Sequence, residues 1–192
     1  MKADEARALA KETLSEERFY HTECVAEAAK ALALRYGEDP ERAETAGFLH
    51  DIAKEFEEPV LLQMIKSSDI IRFGEVERCP KVWHACAGGV FAERHTDADP
   101  EIVSAIASHT TGRAGMTQLE KIVFVADFIS IDRDFEELDE IRKLAFESLD
   151  LAALSIIESQ VLHILKHRRY MDVNIIRAYN DLLTKREETG EN

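Results

Sequence analysis

Cysteine is scarce in this sequence: only Cys24, Cys79 and Cys86 occur in 192 residues, and none of them forms a Cys-x-x-Cys pair. A disulfide framework or a zinc site built from thiolates is therefore not expected, and reduced thiols in a cytoplasm are the simplest interpretation. The chain also lacks a run of about 18 apolar residues and an apolar signal core near its charged start. We therefore expect a cytoplasmic protein without a membrane span.

Positive charge is scarce too, because 24 Lys and Arg residues stand against 38 Asp and Glu residues and leave a formal net charge of −14. No basic stripe compensates this charge, so we do not expect a nucleic-acid partner. A small anionic substrate is not excluded, since it responds to the local field of its site. The Gly-x-x-x-x-Gly-Lys-Ser/Thr motif and a Ser/His/Asp nucleophile pattern are absent, which disfavours P-loop kinases and serine hydrolases.

Helix-breaking residues are few, with four prolines and eight glycines in the whole chain. Every proline stands where a helix is predicted to begin, at Pro40, Pro59, Pro80 and Pro100. The sequence therefore uses proline to start helices rather than to interrupt them.

The segments between these breakers have helical composition. Ser15 is predicted to cap a helix that ends at Gly37. The apolar run from Thr117 to Ile129 has the start signal and the length of a buried helix, although periodicity alone does not exclude a strand. Further helices are expected near residues 3–14, 135–148, 150–168 and 172–185, with irregular structure at 67–79 and a loop at 110–115. The sequence thus predicts an all-α protein whose residues 1–192 form one domain.

The most informative motif is Thr45–Lys54, in which His50 and Asp51 are adjacent at the end of an apolar helical run. Neighbouring side chains on a helix are about 100° apart, so two metal-binding groups there can serve one ion or flank two. Lys54 lies at i+4 from His50 and i+3 from Asp51, so its ammonium group is predicted to project over the same face. This arrangement suits a metal with a phosphate beside it.

Imidazoles and carboxylates recur inside the apolar helical stretches. The six candidates are His21, His50, Asp51, His84, His109 and Asp127. Nitrogen and oxygen ligands of this kind suit iron, manganese, cobalt, nickel or zinc. Asp127 is the most telling of them, because a carboxylate within Val123–Ile129 is costly to bury unless a partner or a metal holds it.

Taken one at a time, these residues have structural alternatives. His21 could be a half-exposed helical residue, His84 a hydrogen-bonded core residue, His109 a favourable charge at a helix C-terminus, and Asp127 the partner of a buried arginine. Taken together, their order favours metal binding. The remaining histidines, which we interpret as structural or solvated, are His95, His163 and His167.

The order of the six candidates resembles that of the HD-domain metal-dependent phosphohydrolases. The flanking motifs are similar to those of the bacterial symmetrical bis(5′-nucleosyl)-tetraphosphatases of the YqeK type, and they are Arg18–Thr22, Leu49–Lys54, His109–Gly112, and Ala126–Ile129 followed by Arg133. The resemblance covers about residues 15–180, the expected core of the domain. One departure is Ser130-Ile131, where the family commonly has Glu-Pro, and this change could alter contacts around the ligands or the substrate preference.

The resemblance implies an HD-domain helical bundle that holds two transition-metal ions, with iron expected and manganese, cobalt, nickel or zinc as alternatives. Asp51 would bridge the two ions. One ion would be bound by His21, His50 and Asp127, and the other by His84 and His109. The implied reaction is the hydrolysis of diadenosine tetraphosphate between its two central phosphates, which yields two molecules of ADP.

The same comparison implies roles for residues near the ligands. Asp51 and Lys54 are the expected catalytic residues, with Lys54 neutralising a phosphate oxygen. The expected substrate-binding residues are Arg18, Lys54, Thr110, Thr111, Gly112, Arg113 and Arg133. Each of these arginines could instead form a surface salt bridge, and Thr110–Gly112 could simply form a turn. An adenine pocket is not readable: Phe19, Tyr20, Trp83, Phe128 or Phe135 could stack on a base, but core packing is the favoured interpretation of each.

Other functions remain compatible with the sequence. A related enzyme could act on nucleoside mono-, di- or triphosphates, because the ligands hold metal rather than base. A non-catalytic module that senses metal or nucleotide would be expected to have lost some ligands. If the protein is instead a helical protein-interaction scaffold, the same histidines and aspartates are ordinary core residues. The sequence does not indicate an oligomeric state.

Overall fold

The computed structural model describes residues 1–68, 76–135 and 138–189, and all regular secondary structure within these ranges is helical. The helices are α1 (Ala3–Thr13), α2 (Glu16–Tyr36), α3 (Pro40–Leu49), α4 (Glu58–Lys66), α5 (Trp83–His95), α6 (Pro100–Ser108), α7 (Gln118–Ile129), α8 (Leu138–Glu147), α9 (Leu149–Lys166) and α10 (Val173–Thr189). A 3₁₀ turn, Pro80–Val82, precedes α5. The predicted all-α class is confirmed. Of the irregular segment expected at 67–79, residues 69–75 lie outside the described ranges.

The expected start and stop signals operate as predicted. The side chains of Asp39 and Asp99 accept hydrogen bonds from main-chain N–H groups in the first turns of α3 and α6. Thr117 and Glu120 form a capping box at the start of α7. Gly37 ends α2 in the left-handed conformation, with φ of 73°. Local sequence therefore sets where these helices begin and end.

Helices α2, α3, α6 and α7 form the centre of the molecule. Helix α2 packs on α3 and α7, and α6 packs on α3, α5 and α7. Outside this centre, α9 packs on α7, α8 and α10. The fully buried aliphatic side chains include Leu32, Leu49, Ile106, Leu119 and Ile122. Each such side chain contributes about 1.5–3 kcal/mol relative to an exposed one, so the centre is held mainly by apolar burial.

Helices α3 and α6 are joined at their starts by Arg42. Its guanidinium donates to both carboxylate oxygens of Asp99, at 3.0 and 2.9 Å, and to Glu101 at 2.7 Å. A two-pronged arginine–carboxylate pair of this kind fixes orientation as well as distance. Both helices are capped at their other ends by candidate ligands, His50 and His109, so the clamp helps to align the two histidines.

The helical expectation for His50–Lys54 needs a correction. Helix α3 ends at Leu49, His50 is its C-cap, and the chain continues in tight turns. Their main-chain bonds span three residues, with Ile52 N donating to Leu49 O at 3.1 Å and Lys54 N to Asp51 O at 2.8 Å. The physical reason is that His50 donates its Nδ1 proton to Gly47 O, which already occupies a last-turn carbonyl.

Gly47 allows α2 and α3 to approach closely. A Cβ at this position would lie 2.6 Å from Ala26 Cα and 3.0 Å from Ala26 N, which are main-chain atoms that cannot move aside alone. The two helices carry His21 and His50, whose ring centroids are 5.3 Å apart. The glycine therefore sets the separation of two candidate ligands.

We expect Gly47→Ala to lower the free energy of unfolding by about 2 kcal/mol, because the added methyl group forces the two helices apart. Chemical denaturation followed by circular dichroism measures this change. Gly88→Ala is the matched control, since its Cβ would meet the Ile106 Cγ2 methyl at 3.2 Å and the main-chain atom His50 O only at an ordinary contact distance of 3.6 Å. An equal or larger loss in the control would contradict this explanation.

Candidate metal centre

The structure brings all six candidate ligands to one place. His21 lies on α2, His50 and Asp51 follow α3, His84 opens α5, His109 follows α6, and Asp127 lies on α7. Five of the six are buried, and the Asp127 side chain is 20% exposed. Residues separated by up to about a hundred positions therefore converge on a single interior cluster.

One part of the cluster combines His21, His50 and Asp127. The Nε2 atom of His21 lies 3.1 Å from Asp127 Oδ1, and that of His50 lies 3.9 Å from the same oxygen. The candidate ligand atoms of these three residues all lie within 4.8 Å of one another. This spacing allows one ion to contact all three.

The other part is arranged around Asp51. Its Oδ1 lies 3.2 Å from His84 Nε2 and 3.5 Å from His109 Nε2. Its Oδ2 lies 3.7 Å from His50 Nε2. The carboxylate thus stands between the two groups of histidines, with one oxygen toward each.

Hydrogen bonds fix the orientation of the histidine rings. His50 donates Nδ1–H to Gly47 O at 2.7 Å, and His109 donates Nδ1–H to Ile106 O at 2.8 Å. Nδ1 of His21 bonds Asp132 Oδ2 at 2.7 Å. A ligand histidine commonly binds such an acceptor through its second nitrogen, which leaves Nε2 as the metal-binding atom.

The Nε2 atoms of His50 and His109 are buried and have no hydrogen-bond partner within the described parts of the chain. Leaving a buried polar atom unpaired costs about 1–3 kcal/mol, so such atoms are rare without a reason. A bound cation would satisfy both nitrogens. The residues present therefore fit a divalent metal.

The protonation states suit metal binding. Burial lowers the pKa of His50 to about 4 and also lowers the pKa of His84, which keeps both rings neutral near pH 7. Burial acts to raise the pKa of Asp51, but the surrounding histidines outweigh it and hold that pKa well below its usual range. Asp127 shows the same balance and the same net lowering of its pKa. Neutral imidazoles and ionised carboxylates are the forms that bind cations.

Two of the predicted substrate-binding cations reach the cluster. Lys54 Nζ lies 3.4 Å from Asp51 Oδ1 and 3.0 Å from His84 Nε2. Arg133 Nη2 lies 2.6 Å from Asp127 Oδ1. Arg18 is on the same helix as His21, three residues earlier, and its guanidinium has no hydrogen bond or ion pair to any residue of the described ranges.

The remaining predicted positions lie in the segment after His109. Arg113 pairs with Glu120, donating to Oε1 at 2.9 Å and lying 2.8 Å from Oε2, so the structure gives its guanidinium a protein partner. The hydroxyl of Thr111 donates to Gly112 O at 2.9 Å, and Gly112 has φ of 62°. Thr110, Thr111 and Gly112 directly follow the candidate ligand His109, which places their main chain beside the cluster.

Sequence reasoning missed Asp132 and Glu120. Asp132 orients His21, but in the polar run Asp132-Arg133-Asp134 no signal distinguishes it from Asp134. In the sequence Glu120 is only part of the start signal of the helix that begins after Thr117, whereas in the structure it is fully buried and pairs with Arg113. The departure Ser130-Ile131 lies next to these contacts: the Ser130 hydroxyl donates to Asp127 O at 3.3 Å, and Ile131 is exposed.

We expect Asp132→Ala to weaken metal binding by about 10- to 100-fold, because His21 loses the acceptor that orients its ring. Titration of metal-free protein with a divalent cation in a competing chelator measures this affinity. Asp134→Ala is the matched control, since Asp134 is an exposed neighbour of the same type. Equal metal affinity in the two variants would show that Asp132 does not act through His21.

Comparison with known proteins agrees with the site. The family model for the HD domain matches residues 18–132. The symmetrical bis(5′-nucleosyl)-tetraphosphatase of Bacillus subtilis is 35% identical over 96% of this chain and 99% of its own length. The protein of the same name from Halalkalibacterium halodurans is 32% identical over 97% of this chain and 100% of its own length.

A solved structure also matches. A predicted HD superfamily hydrolase involved in NAD metabolism from Clostridium acetobutylicum superposes with a TM-score of 0.90 at 32% identity, covering 95% of this chain and 97% of that one. No helix in the described ranges is both long and apolar enough to cross a membrane. The resemblance inferred from the sequence motifs is confirmed, and the chain belongs to the HD domain family.

Proposed function

We propose that the protein is a metal-dependent hydrolase that cuts diadenosine tetraphosphate, and related dinucleoside polyphosphates, symmetrically. One water molecule is consumed and two molecules of ADP are formed from diadenosine tetraphosphate. The observation that carries this proposal is the position of Asp51, whose two carboxylate oxygens face different histidines. Such a carboxylate is suited to bridge two ions.

The distances between the candidate side chains support the following ligand assignment. His21, His50 and Asp127 would hold one ion, His84 and His109 the other, and Asp51 both. The ligand set contains no thiolate, which suits iron and also manganese, cobalt, nickel or zinc, and we propose iron. When bound, a metal pair supplies a nucleophilic hydroxide at neutral pH and stabilises negative charge on the phosphate.

The protein's own cations would position the substrate. Lys54, next to Asp51 and His84, is placed to contact an oxygen of the phosphate under attack. Arg18 is free to bind a further phosphate. Arg133 already pairs with Asp127 and would add positive charge at that edge of the cluster. Together with a bound metal pair, these cations would make the local field at the site attractive to a polyphosphate, which responds to that field rather than to the net charge of the chain.

The substrate class is supported by the relatives. The proteins from Bacillus subtilis and Halalkalibacterium halodurans, which match this chain nearly end to end, are named as symmetrical bis(5′-nucleosyl)-tetraphosphatases. All six ligands implied by that family are present and converge in the structure. A complete ligand set also argues against a module that only senses metal or nucleotide.

Product analysis tests the proposed function. We expect metal-loaded protein to convert diadenosine tetraphosphate to ADP as the sole nucleotide product, with about two metal ions bound per chain. Chromatography of the products and elemental analysis of the protein provide the two measurements. The variant with His50→Ala and Asp51→Ala is the inactive control. Formation of AMP and ATP would disprove the symmetrical cut, and equal rates in the control would disprove the assignment of the site.

We expect Lys54→Met to lower kcat/KM for diadenosine tetraphosphate by about 100-fold, because a charge that stabilises the developing negative phosphate is removed. The metal content should be unchanged, since Lys54 is not a proposed ligand. Lys30→Met is the matched control, as Lys30 forms a surface pair with Glu44 at 2.8 Å. Steady-state kinetics with elemental analysis decides the role, and wild-type kinetics in the Lys54 variant would rule it out.

A further inference from the structure

Glu120 is a fully buried residue to which the ligand assignment gives no role. It lies on α7, seven residues before the candidate ligand Asp127. As part of the capping box of α7, its side chain accepts a hydrogen bond from Thr117 N at 2.8 Å. An exposed side chain could make this bond equally well, so the start of the helix does not explain the burial. Burying a carboxylate is costly unless several partners surround it.

The further partners of Glu120 come from two other segments. Oε1 accepts hydrogen bonds from Arg113 Nε at 2.9 Å and from the hydroxyl of Ser104, and Oε2 lies 2.8 Å from Arg113 Nη2. The arginine therefore holds both carboxylate oxygens, a geometry that fixes orientation as well as distance. Ser104 lies on α6, five residues before the candidate ligand His109. Glu120 thus joins α6, α7 and the chain between them.

The chain between these helices is the segment 110–117, which we call the connecting loop. Its first residues, Thr110–Gly112, are among those expected to bind the substrate. Arg113 lies between two glycines, Gly112 and Gly115, whose φ values are 62° and 66°. Glycine reaches many backbone conformations at similar free energy, so its own preferences do not hold a loop in one of them. A side-chain anchor is therefore needed to fix this part of the loop.

Arg113 has the contacts of such an anchor. On one side its guanidinium holds Glu120, and on the other its Nη1 donates to Ala114 O at 3.0 Å, a main-chain oxygen of the connecting loop itself. One side chain thus connects the backbone of the loop to a buried carboxylate on α7. A substrate phosphate would have to compete with that carboxylate for the guanidinium.

We propose that Glu120 is a positioning residue for substrate binding, which acts through Arg113 to hold the connecting loop beside the metal centre. The loop then presents Thr110–Gly112 to a phosphate of the substrate in a conformation that exists before binding. Without the anchor, the loop becomes ordered only when the substrate binds, and this ordering reduces the affinity. The inference rests on the proposed polyphosphate substrate, and it assigns Arg113 to the loop rather than to the substrate.

Glu120→Gln tests the pair with Arg113 specifically, because glutamine keeps the shape and still completes a capping box. We expect KM for diadenosine tetraphosphate to rise about tenfold and kcat to stay within about twofold, because the loop must be ordered in the bound state and in the transition state alike. Hydrogen exchange of residues 110–117, measured by mass spectrometry, should become faster. Metal content should not change, because His109 keeps its bond to Ile106 O at 2.8 Å.

Glu5→Gln is the matched control. Glu5 accepts a hydrogen bond from Lys2 N at 2.9 Å in the capping box of α1, so it has the helix-start role of Glu120 without the burial. This variant should show wild-type KM and wild-type exchange of the connecting loop. The comparison separates the pairing with Arg113 from the capping of a helix.

A double variant tests whether the two residues act as one unit. Arg113→Met leaves a buried carboxylate without its partner, so it should destabilise the protein more than Glu120→Gln does. Adding Glu120→Gln to Arg113→Met should restore part of this loss in chemical denaturation, because a neutral amide is less costly to bury. The double variant should have the same KM as Glu120→Gln, since both changes remove the same pair. If Glu120→Gln does not fold, the double variant decides.

Three results would overturn the positioning role. Glu120→Gln could show wild-type KM and loop exchange, it could lose metal, which would place its effect on the ligands, or the two substitutions could raise KM additively. Exchange and denaturation require no turnover, and the dissociation constant of ADP from metal-loaded protein replaces KM if diadenosine tetraphosphate is not cleaved. Weaker ADP binding and faster loop exchange in a protein without that activity would refute the proposed reaction and leave the role of Glu120 intact.

Discussion

The metal centre depends on one hydrogen bond that the fold makes twice: a histidine at the end of a helix donates Nδ1–H to a carbonyl of the last turn. His50 bonds Gly47 O, and His109 bonds Ile106 O. Helix ends carry unpaired carbonyls, so this bond satisfies the backbone and orients the ring at once. Both Nε2 atoms then face the same interior space, where the rings are 4.9 Å apart. The same hydrogen bond therefore pairs a carbonyl at the end of the helix and orients a histidine for metal binding.

The rest of the packing serves to hold these two helix ends together. Arg42 joins the starts of α3 and α6 through Asp99, and Gly47 lets α2 lie against α3. Cations at the edge of the cluster offset part of the cost of burying its carboxylates, because Lys54 Nζ lies 3.4 Å from Asp51 Oδ1 and Arg133 Nη2 lies 2.6 Å from Asp127 Oδ1. The candidate ligand atoms therefore already lie close together in the protein without a bound substrate.

Membership of the HD domain family and the composition of the site point to the same chemistry. Two cations extend the site outward: Lys54 lies beside Asp51 and His84, and Arg133 lies beside Asp127. A small anion responds to this local field rather than to the net charge of −14 of the whole chain.

Local physics made much of this protein predictable from its sequence. Proline and cap positions, the left-handed Gly37, and the cost of burying Asp127 depend on nearby residues, and they led to the all-α class and to six ligands that the structure gathers in one cluster. Tertiary structure decided the rest. Asp132 and Asp134 look equivalent in the sequence, but only Asp132 reaches a helix more than a hundred residues away. The pairing of Arg113 with Glu120 likewise depends on the tertiary structure, because contacts of this kind leave no periodic signal in the chain.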